Sequence, residues 1–313
     1  MKRILLIKTS SLGDVVHNLP VVSDLRRAFP DAHVEWVVER AFADIPRRHP
    51  GVARVIEVEI RRWRSAFWRG EVRRAAHDVL NILKREPYDA VVDTQGLLKS
   101  AWLAWRARGP AYGLDWASAR EPLAFFYDRT FAIPWTLHAV ERNRQLAARA
   151  LGYAPDGVPD FGITATPAAG EAPYAVLLHA TSAAAKLWPE SHWIALAATL
   201  AARGLRCVLP WGSAEERARS ERLAAAMANA RVPEALALPA VMALLAGAQG
   251  VVGVDTGLTH LAGALGVPTV GVYVATDTAA TGLFGCARAV NVGDGRGVPD
   301  VAAVSGALAQ AMG

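Results

Sequence analysis

The feature that most restricts this chain is a recurring alternation of short β-branched runs with amphipathic stretches of helical period. Arg3–Lys8, His33–Val38, Val52–Val58 and Ala90–Asp93 have the length and composition of strands. Leu19–Ala28, Glu71–Arg85 and Leu97–Arg108 between them pattern as helices. Such alternation predicts βαβ units and a mostly parallel sheet, because parallel neighbours need a crossover long enough to return the chain.

The alternation halts once. Tyr153 to Pro173 carries Pro155, Pro159 and Pro167 with Gly157, Gly162 and Gly170, the punctuation of a linker. It then restarts, with strands expected at Ala175–His179, Arg206–Pro210, Val251–Val254 and Thr269–Val274. Helices are expected at Ser191–Arg203, Ala214–Asn229, Ala240–Gly247 and Leu258–Leu265. A chain of 313 residues is long enough for two domains, each with its own core. The expectation is therefore an α/β protein of two open-sheet domains, residues 1–155 and 173–313, joined by a linker over 156–172 and facing a central cleft. The last helix is expected to pack back on the first domain. Ligands of such sheets bind beyond the carboxyl ends of the strands, so the informative residues are those just after each strand.

Composition narrows the class further. At 52% apolar and 20% charged residues the chain is globular rather than disordered. Two cysteines, Cys207 and Cys286, make neither a disulfide framework nor a four-cysteine zinc site, which fits a reducing cytoplasm. The opening Met1-Lys2-Arg3 imitates a signal peptide, but the apolar run after it is four residues long before Lys8, shorter than the ~7–15 of a signal core. No apolar run approaches the roughly 18 residues that span a bilayer. A cytoplasmic, mildly basic protein of net charge +5 is expected.

Four strand ends carry chemistry. The first reads Lys8-Thr9-Ser10-Ser11-Leu12-Gly13-Asp14, small hydroxyl residues and a glycine before a helix, suited to cradling an anion with backbone N–H groups. It matches neither the dinucleotide fingerprint nor the Walker loop. Asp14 is open to two readings, an N-cap of that helix or a carboxylate held as a general base. After the third strand, Arg61-Arg62-Trp63-Arg64 concentrates guanidinium forks that suit carboxylates and phosphates, although a solvated helix face is the ordinary reading of such a run. Nucleic acid is not favoured, since no recognised binding module accompanies the run. Lys186, on the loop after His179-Ala180-Thr181-Ser182, is the only lysine after Lys99, and its strand-end position suits a phosphate ligand.

The sharpest signal is Gly253-Val254-Asp255-Thr256-Gly257-Leu258-Thr259-His260. A buried strand ends in Asp-Thr-Gly and a helix begins at once, so the helix amides and dipole can hold a diphosphate. Aspartic proteases share the triplet but need two facing copies, and only one occurs here. His260, on the first helical turn, is either structural or part of the site. No His/Cys/Asp cluster has metal-ligand spacing, so no metal is expected.

At these residues the sequence closely resembles the bacterial lipopolysaccharide heptosyltransferases, two-domain enzymes of the GT-B fold with Rossmann-like halves. The resemblance runs through Lys8–His17, Ile60–Arg64, Asp93–Ser100, Ala119–Ala124, His138–Arg142 and Asp255–Leu261, in that order. It implies transfer of L-glycero-D-manno-heptose from ADP-heptose to a Kdo sugar of Kdo-lipid A, with the first domain holding the acceptor and the second the donor. Asp14 would match the catalytic base, assisted by Lys186. Thr181, Ser182 and Lys186 would match the diphosphate loop, Glu216 the ribose carboxylate, and Asp255, Thr256, Gly257 and His260 the heptose and diphosphate segment. Ser11, Gly13, Arg61, Arg64 and Arg120 would meet the acidic acceptor. No cofactor beyond the substrate is implied. The enzyme would touch the inner face of the inner membrane peripherally. Departures at Ser65, Ala183-Ala184-Ala185 and Val274-Ala275 bear on loop geometry and acceptor affinity rather than on the reaction class. Two other activities share this architecture: transfer of the next heptose onto the first, and sugar-nucleotide epimerisation. A non-catalytic nucleotide-binding protein is the remaining alternative.

Overall fold

A computed structural model describes residues 2–167 and 173–313. The chain forms two compact units, Met1–Ile163 and Thr164–Gly313. Unit 1 runs β1 (Arg3–Ile7), α1 (Leu12–His17), α2 (Leu19–Ala28), β2 (His33–Glu39), α3 (Asp44–Arg47), β3 (Val52–Val58), α4 (Ile60–Ser65), α5 (Gly70–Arg85), β4 (Ala90–Asp93), α6 (Leu98–Arg106), β5 (Ala111–Leu114), β6 (Arg129–Phe131) and α7 (Ala139–Leu151). Unit 2 continues with β7 (Tyr174–Leu178), α8 (Glu190–Ala202), β8 (Arg206–Val208), α9 (Ala214–Ala225), β9 (Ala230–Arg231), α10 (Leu238–Ala246), β10 (Gly250–Val254), α11 (Gly257–Ala264), β11 (Thr269–Val272), α12 (Thr278–Thr281), β12 (Ala289–Val292) and α13 (Val301–Met312).

Among the described residues each unit builds one six-stranded sheet, ordered β3-β2-β1-β4-β5-β6 and β12-β11-β10-β7-β8-β9, with every pairing parallel. The two orders are equivalent. In each, the unit's first strand is central, two crossovers run to one side of it, and the rest return to the other. β1 and β7 are buried along nearly their whole length, which is why their sequences read as continuous apolar runs without alternation. The reversal of strand order puts a switch point between β1 and β4 in unit 1 and between β7 and β10 in unit 2. The motifs after β1, β7 and β10 lie at these two places, whereas Arg61–Arg64 follows β3 at the edge of its sheet.

The units divide inside the segment expected to be a linker. Residues 156–163 belong with unit 1 because the buried Arg144 guanidinium donates to the carbonyls of Asp156 (3.0 Å) and Gly157 (3.3 Å), and Phe161 and Ile163 are buried. Residues 168–172 of that segment lie outside the described residues. Val304, Ala307 and Leu308 of α13, at helical spacing, share one core with Leu196 of α8 and Val252 of β10, so α13 closes its own unit.

Candidate active site

The unit 1 candidates are built on the loop after β1. Ser11 has extended backbone and is the N-cap of α1, while Asp14 is its third helical residue. Asp14 Oδ2 accepts from the Ser11 N–H (2.8 Å) and the Ser11 hydroxyl (2.9 Å), forming a capping box. The N-cap expected at Asp14 is thus supplied by Ser11, because only Ser11 has the non-helical φ/ψ that a cap requires. Gly13 lies between them in the first turn.

The neighbouring strand end holds this loop in place. Gln95, after β4, points one side-chain oxygen at the N–H groups of Thr9 (2.9 Å) and Ser10 (3.0 Å). Lys99 of α6 donates to the Ser10 hydroxyl at 2.6 Å. Buried Lys8 donates to the Thr94 carbonyl (2.7 Å) and to Asn143 Oδ1 (3.3 Å). Burial lowers the pKa of both lysines, and the negative charge of Asp14 opposes the shift at each. The field at Lys99 also includes Arg61, and that at Lys8 includes Arg120 and Arg142. Asp14 thus acts on both lysines, with Arg61 near the one and Arg120 near the other. Arg64, further along α4, is exposed.

Trp135 adds a π-face beside Arg120. The Arg142 guanidinium stacks 3.5 Å from its ring centre and that of Arg120 lies at 5.7 Å. Burial, with Arg120 close by, brings the Arg142 pKa down to about 10. Arg142, Gln95 and Lys99 were not assigned to the site from sequence. Gln95 and Lys99 follow β4, the strand beside β1 at the switch point, and that position was the available signal.

The unit 2 candidates centre on Asp255, directly after β10. Its Oδ2 accepts from Lys186 Nζ (2.6 Å) and the Thr276 hydroxyl (2.7 Å), and its Oδ1 lies 3.5 Å from His260 Nε2. Burial alone would raise this carboxyl. Hydrogen bonds from His260, Lys186 and Thr276 outweigh it and hold the group well below the usual carboxylate range. The Thr181 hydroxyl donates to the Asp255 carbonyl at 3.1 Å, tying the loop after β7 to the loop after β10. Thr276, which follows β11 beside β10, was missed as a site residue.

Helix α11 starts immediately after Asp255. Thr256 is its extended N-cap and Gly257 its first residue, so the N–H groups of Gly257 and Leu258 have no partner within the helix. Gly253 permits this close start, since a Cβ there would overlap the Thr259 hydroxyl, which donates to the Val254 carbonyl at 2.7 Å. The Lys186 ammonium, one-third exposed, stands at this edge with those amides. A cation beside unpaired helix amides can neutralise and bind a diphosphate. Ser182 is exposed next to Thr181. Glu216 lies after β8, on the same carboxyl edge, where its Oε2 accepts from the Gly212 N–H at 2.7 Å. Among the described residues no group of three or more His, Cys, Asp or Glu side chains converges as a metal site.

Two Rossmann-like units of one topology, one with Asp14 on the first turn of α1 and the other with the Lys186–Asp255–Thr276 cluster at the N-terminus of α11, match a known family. The model of glycosyltransferase family 9 (heptosyltransferase) aligns with residues 77–302. The chain belongs to this family. Lipopolysaccharide heptosyltransferase 1 of Pseudomonas aeruginosa is 50% identical to this family 9 chain over 90% of its length and 81% of the relative's. The solved structure of E. coli heptosyltransferase WaaC with ADP superposes with a TM-score of 0.90 at 41% identity, covering 99% of each chain. The structure of WaaC with ADP-2-deoxy-2-fluoro heptose gives 0.81 at 45% identity, covering 88% of this chain and 90% of that one. The two parallel sheets are thus those of a GT-B-like glycosyltransferase.

Proposed function

We propose that this family 9 enzyme transfers L-glycero-D-manno-heptose from ADP-heptose to a Kdo residue of Kdo-lipid A, with inversion and release of ADP. The observation that carries the donor assignment is the Lys186–Asp255–Thr276 cluster at the N-terminus of α11. It occurs in a chain half identical to a lipopolysaccharide heptosyltransferase 1 and similar to a structure holding ADP.

The acceptor hydroxyl must lose its proton as its oxygen bonds to the anomeric carbon, and Asp14 is the base proposed to take it. The capping box uses Oδ2, which orients the carboxylate and leaves Oδ1 as the proton acceptor. As the new bond forms, the bond from the anomeric carbon to the diphosphate oxygen breaks and its electron pair leaves with ADP. ADP is a weak base and needs charge stabilisation more than protonation, which Lys186 and the Gly257 and Leu258 amides supply as charge develops. Asp255 orients Lys186. Thr181, Ser182, Thr256 and His260 complete the donor side, and Glu216 is proposed to accept from the ribose hydroxyls. Arg61, Arg64 and Arg120 receive Kdo carboxylates, with Ser11 and Gly13 lining the approach. The proposed step uses no metal or further cofactor.

The acceptor is a lipid in an anionic leaflet, and a chain of net charge +5 is attracted to such a surface. Among the described residues no helix is long and apolar enough to cross a membrane, so the contact proposed is peripheral, on the cytoplasmic face. One assay separates the readings. ADP release from ADP-heptose should require a Kdo-only acceptor. Release only with an acceptor already carrying one heptose would support the second-heptose enzyme, and donor conversion without acceptor would support an epimerase.

A further inference from the structure

The surface charge is divided unequally between the units. Residues 1–163 hold 25 of the 34 Lys and Arg against 19 of the 29 Asp and Glu, a net +6, whereas residues 164–313 are net −1. Exposed large apolar side chains are divided the same way. Among the described residues, Phe67, Trp68, Trp102, Trp105, Trp116, Phe125 and Trp135 are exposed in unit 1, against a single exposed aromatic in unit 2.

Several of these aromatics cluster near the β5–β6 edge of the unit 1 sheet. Trp116 follows β5, and its ring meets Phe125 edge-on at 5.0 Å. Phe125 lies in the 3₁₀ turn Ala124–Phe126, where Phe126 meets Trp105 of α6 at 6.5 Å. Next to Trp116 in the chain, the Ala117 carbonyl accepts from the Trp135 indole N–H at 3.0 Å. Trp116 and Phe125 are 55% and 81% exposed, and Trp105 is 57% exposed, so these rings are not a covered core. Guanidiniums sit beside them: Arg106 at 5.5 Å from the Trp105 ring centre, and Arg120 and Arg142 over Trp135.

We propose that this aromatic edge is the surface by which unit 1 docks on an anionic phospholipid bilayer. The inference deepens the lipid-acceptor reading above and rests on it. Three features favour a bilayer as the occupant. The exposed apolar residues of the patch are Trp and Phe, whose flat rings partition at headgroup depth. The accompanying cations are arginines, which pair with phosphates while stacked on rings. The net positive charge belongs wholly to the unit that carries the patch, as attraction to an anionic leaflet requires. Through Trp135 the surface also reaches Arg120, one of the arginines proposed to receive the acceptor.

The test is co-sedimentation of the full chain with vesicles of phosphatidylglycerol and phosphatidylcholine that contain no acceptor. Wild-type chain should bind at low salt and release as salt rises, with little binding to pure phosphatidylcholine. Trp105→Ser/Phe125→Ser should lower the partition coefficient at least about tenfold, because two rings no longer leave water. A control change at another exposed apolar position, Val298→Ser, should not lower it. Turnover on a deacylated, water-soluble Kdo acceptor should survive in the double variant, so its loss in wild type would count against the proposed function and not against docking. Equal vesicle binding by wild type and double variant overturns the docking surface. So does wild-type binding that appears only when acceptor lipid is added, or self-association through the patch without vesicle binding.

Discussion

Replacing Lys186 by Met keeps the length of the side chain and removes its charge. In the free chain the Lys186 ammonium spends one of its three N–H donors on Asp255, at 2.6 Å, and the side chain is one-third exposed. The remaining donors can reach a diphosphate without breaking that pair. A hydrogen bond to a charged partner contributes about 1.5–3 kcal/mol. Its loss should weaken ADP binding by about 10- to 150-fold. A second effect pushes toward the upper end of that range. Without Lys186, Asp255 keeps its bonds from Thr276 and His260 and remains a buried carboxylate facing the diphosphate with less compensation. Adding Asp255→Asn to Lys186→Met should therefore recover part of the loss. Titration calorimetry with ADP at one fixed ionic strength measures all three affinities. An ADP dissociation constant within about twofold of wild type in Lys186→Met would remove the lysine from the donor site, and a double variant weaker than Lys186→Met would refute the role given to Asp255.

Two further predictions concern stability. Arg144 and Asp24 form a buried ion pair at 2.8 Å, with side chains 3% and 2% exposed, so Arg144→Leu should cost about 3–5 kcal/mol in urea unfolding, and a loss under about 1 kcal/mol would contradict the pairing argument. Burial pushes the His49 imidazole from 6.5 down to about 4, so the unfolded chain takes up the extra proton between these values. Its contribution to stability is full above about pH 6.5 and declines toward pH 4 by at most about 3 kcal/mol. His49→Gln should flatten the fall in unfolding midpoint across that window; His179, also lowered to about 4 by burial, keeps part of the slope, and parallel curves for wild type and variant would count against it.

Much of this was legible in the sequence because parallel sheets are buried on both faces and write themselves as uninterrupted β-branched runs. Val52–Val58 and Ala90–Asp93 form strands over the expected residues, while the strand expected at Arg3–Lys8 ends one residue early, at Ile7. The shortest strands were not legible. β9 is two residues and β6 three, too short to carry a period, and β5 contains Gly113, required because the Tyr127 ring occupies the place of a Cβ. The strand-end rule singled out Asp14, Lys186 and Asp255 as candidates. What it could not supply was partnership. Thr276 reaches Asp255 from the next strand, and Gln95 reaches the loop after β1 across the sheet, contacts fixed by strand order and not by local pattern.

The central claim, one carboxylate removing a proton while a separate cation and helix amides receive the departing ADP, is tested most directly in Asp14→Asn. The substitution leaves the donor cradle of Lys186 and Asp255 untouched. Single-turnover kinetics with saturating ADP-heptose and Kdo acceptor should show a rate constant lower by about 10²–10⁴-fold, as for loss of a general base, with donor affinity unchanged. Transfer at close to the wild-type rate in that variant would contradict the mechanism.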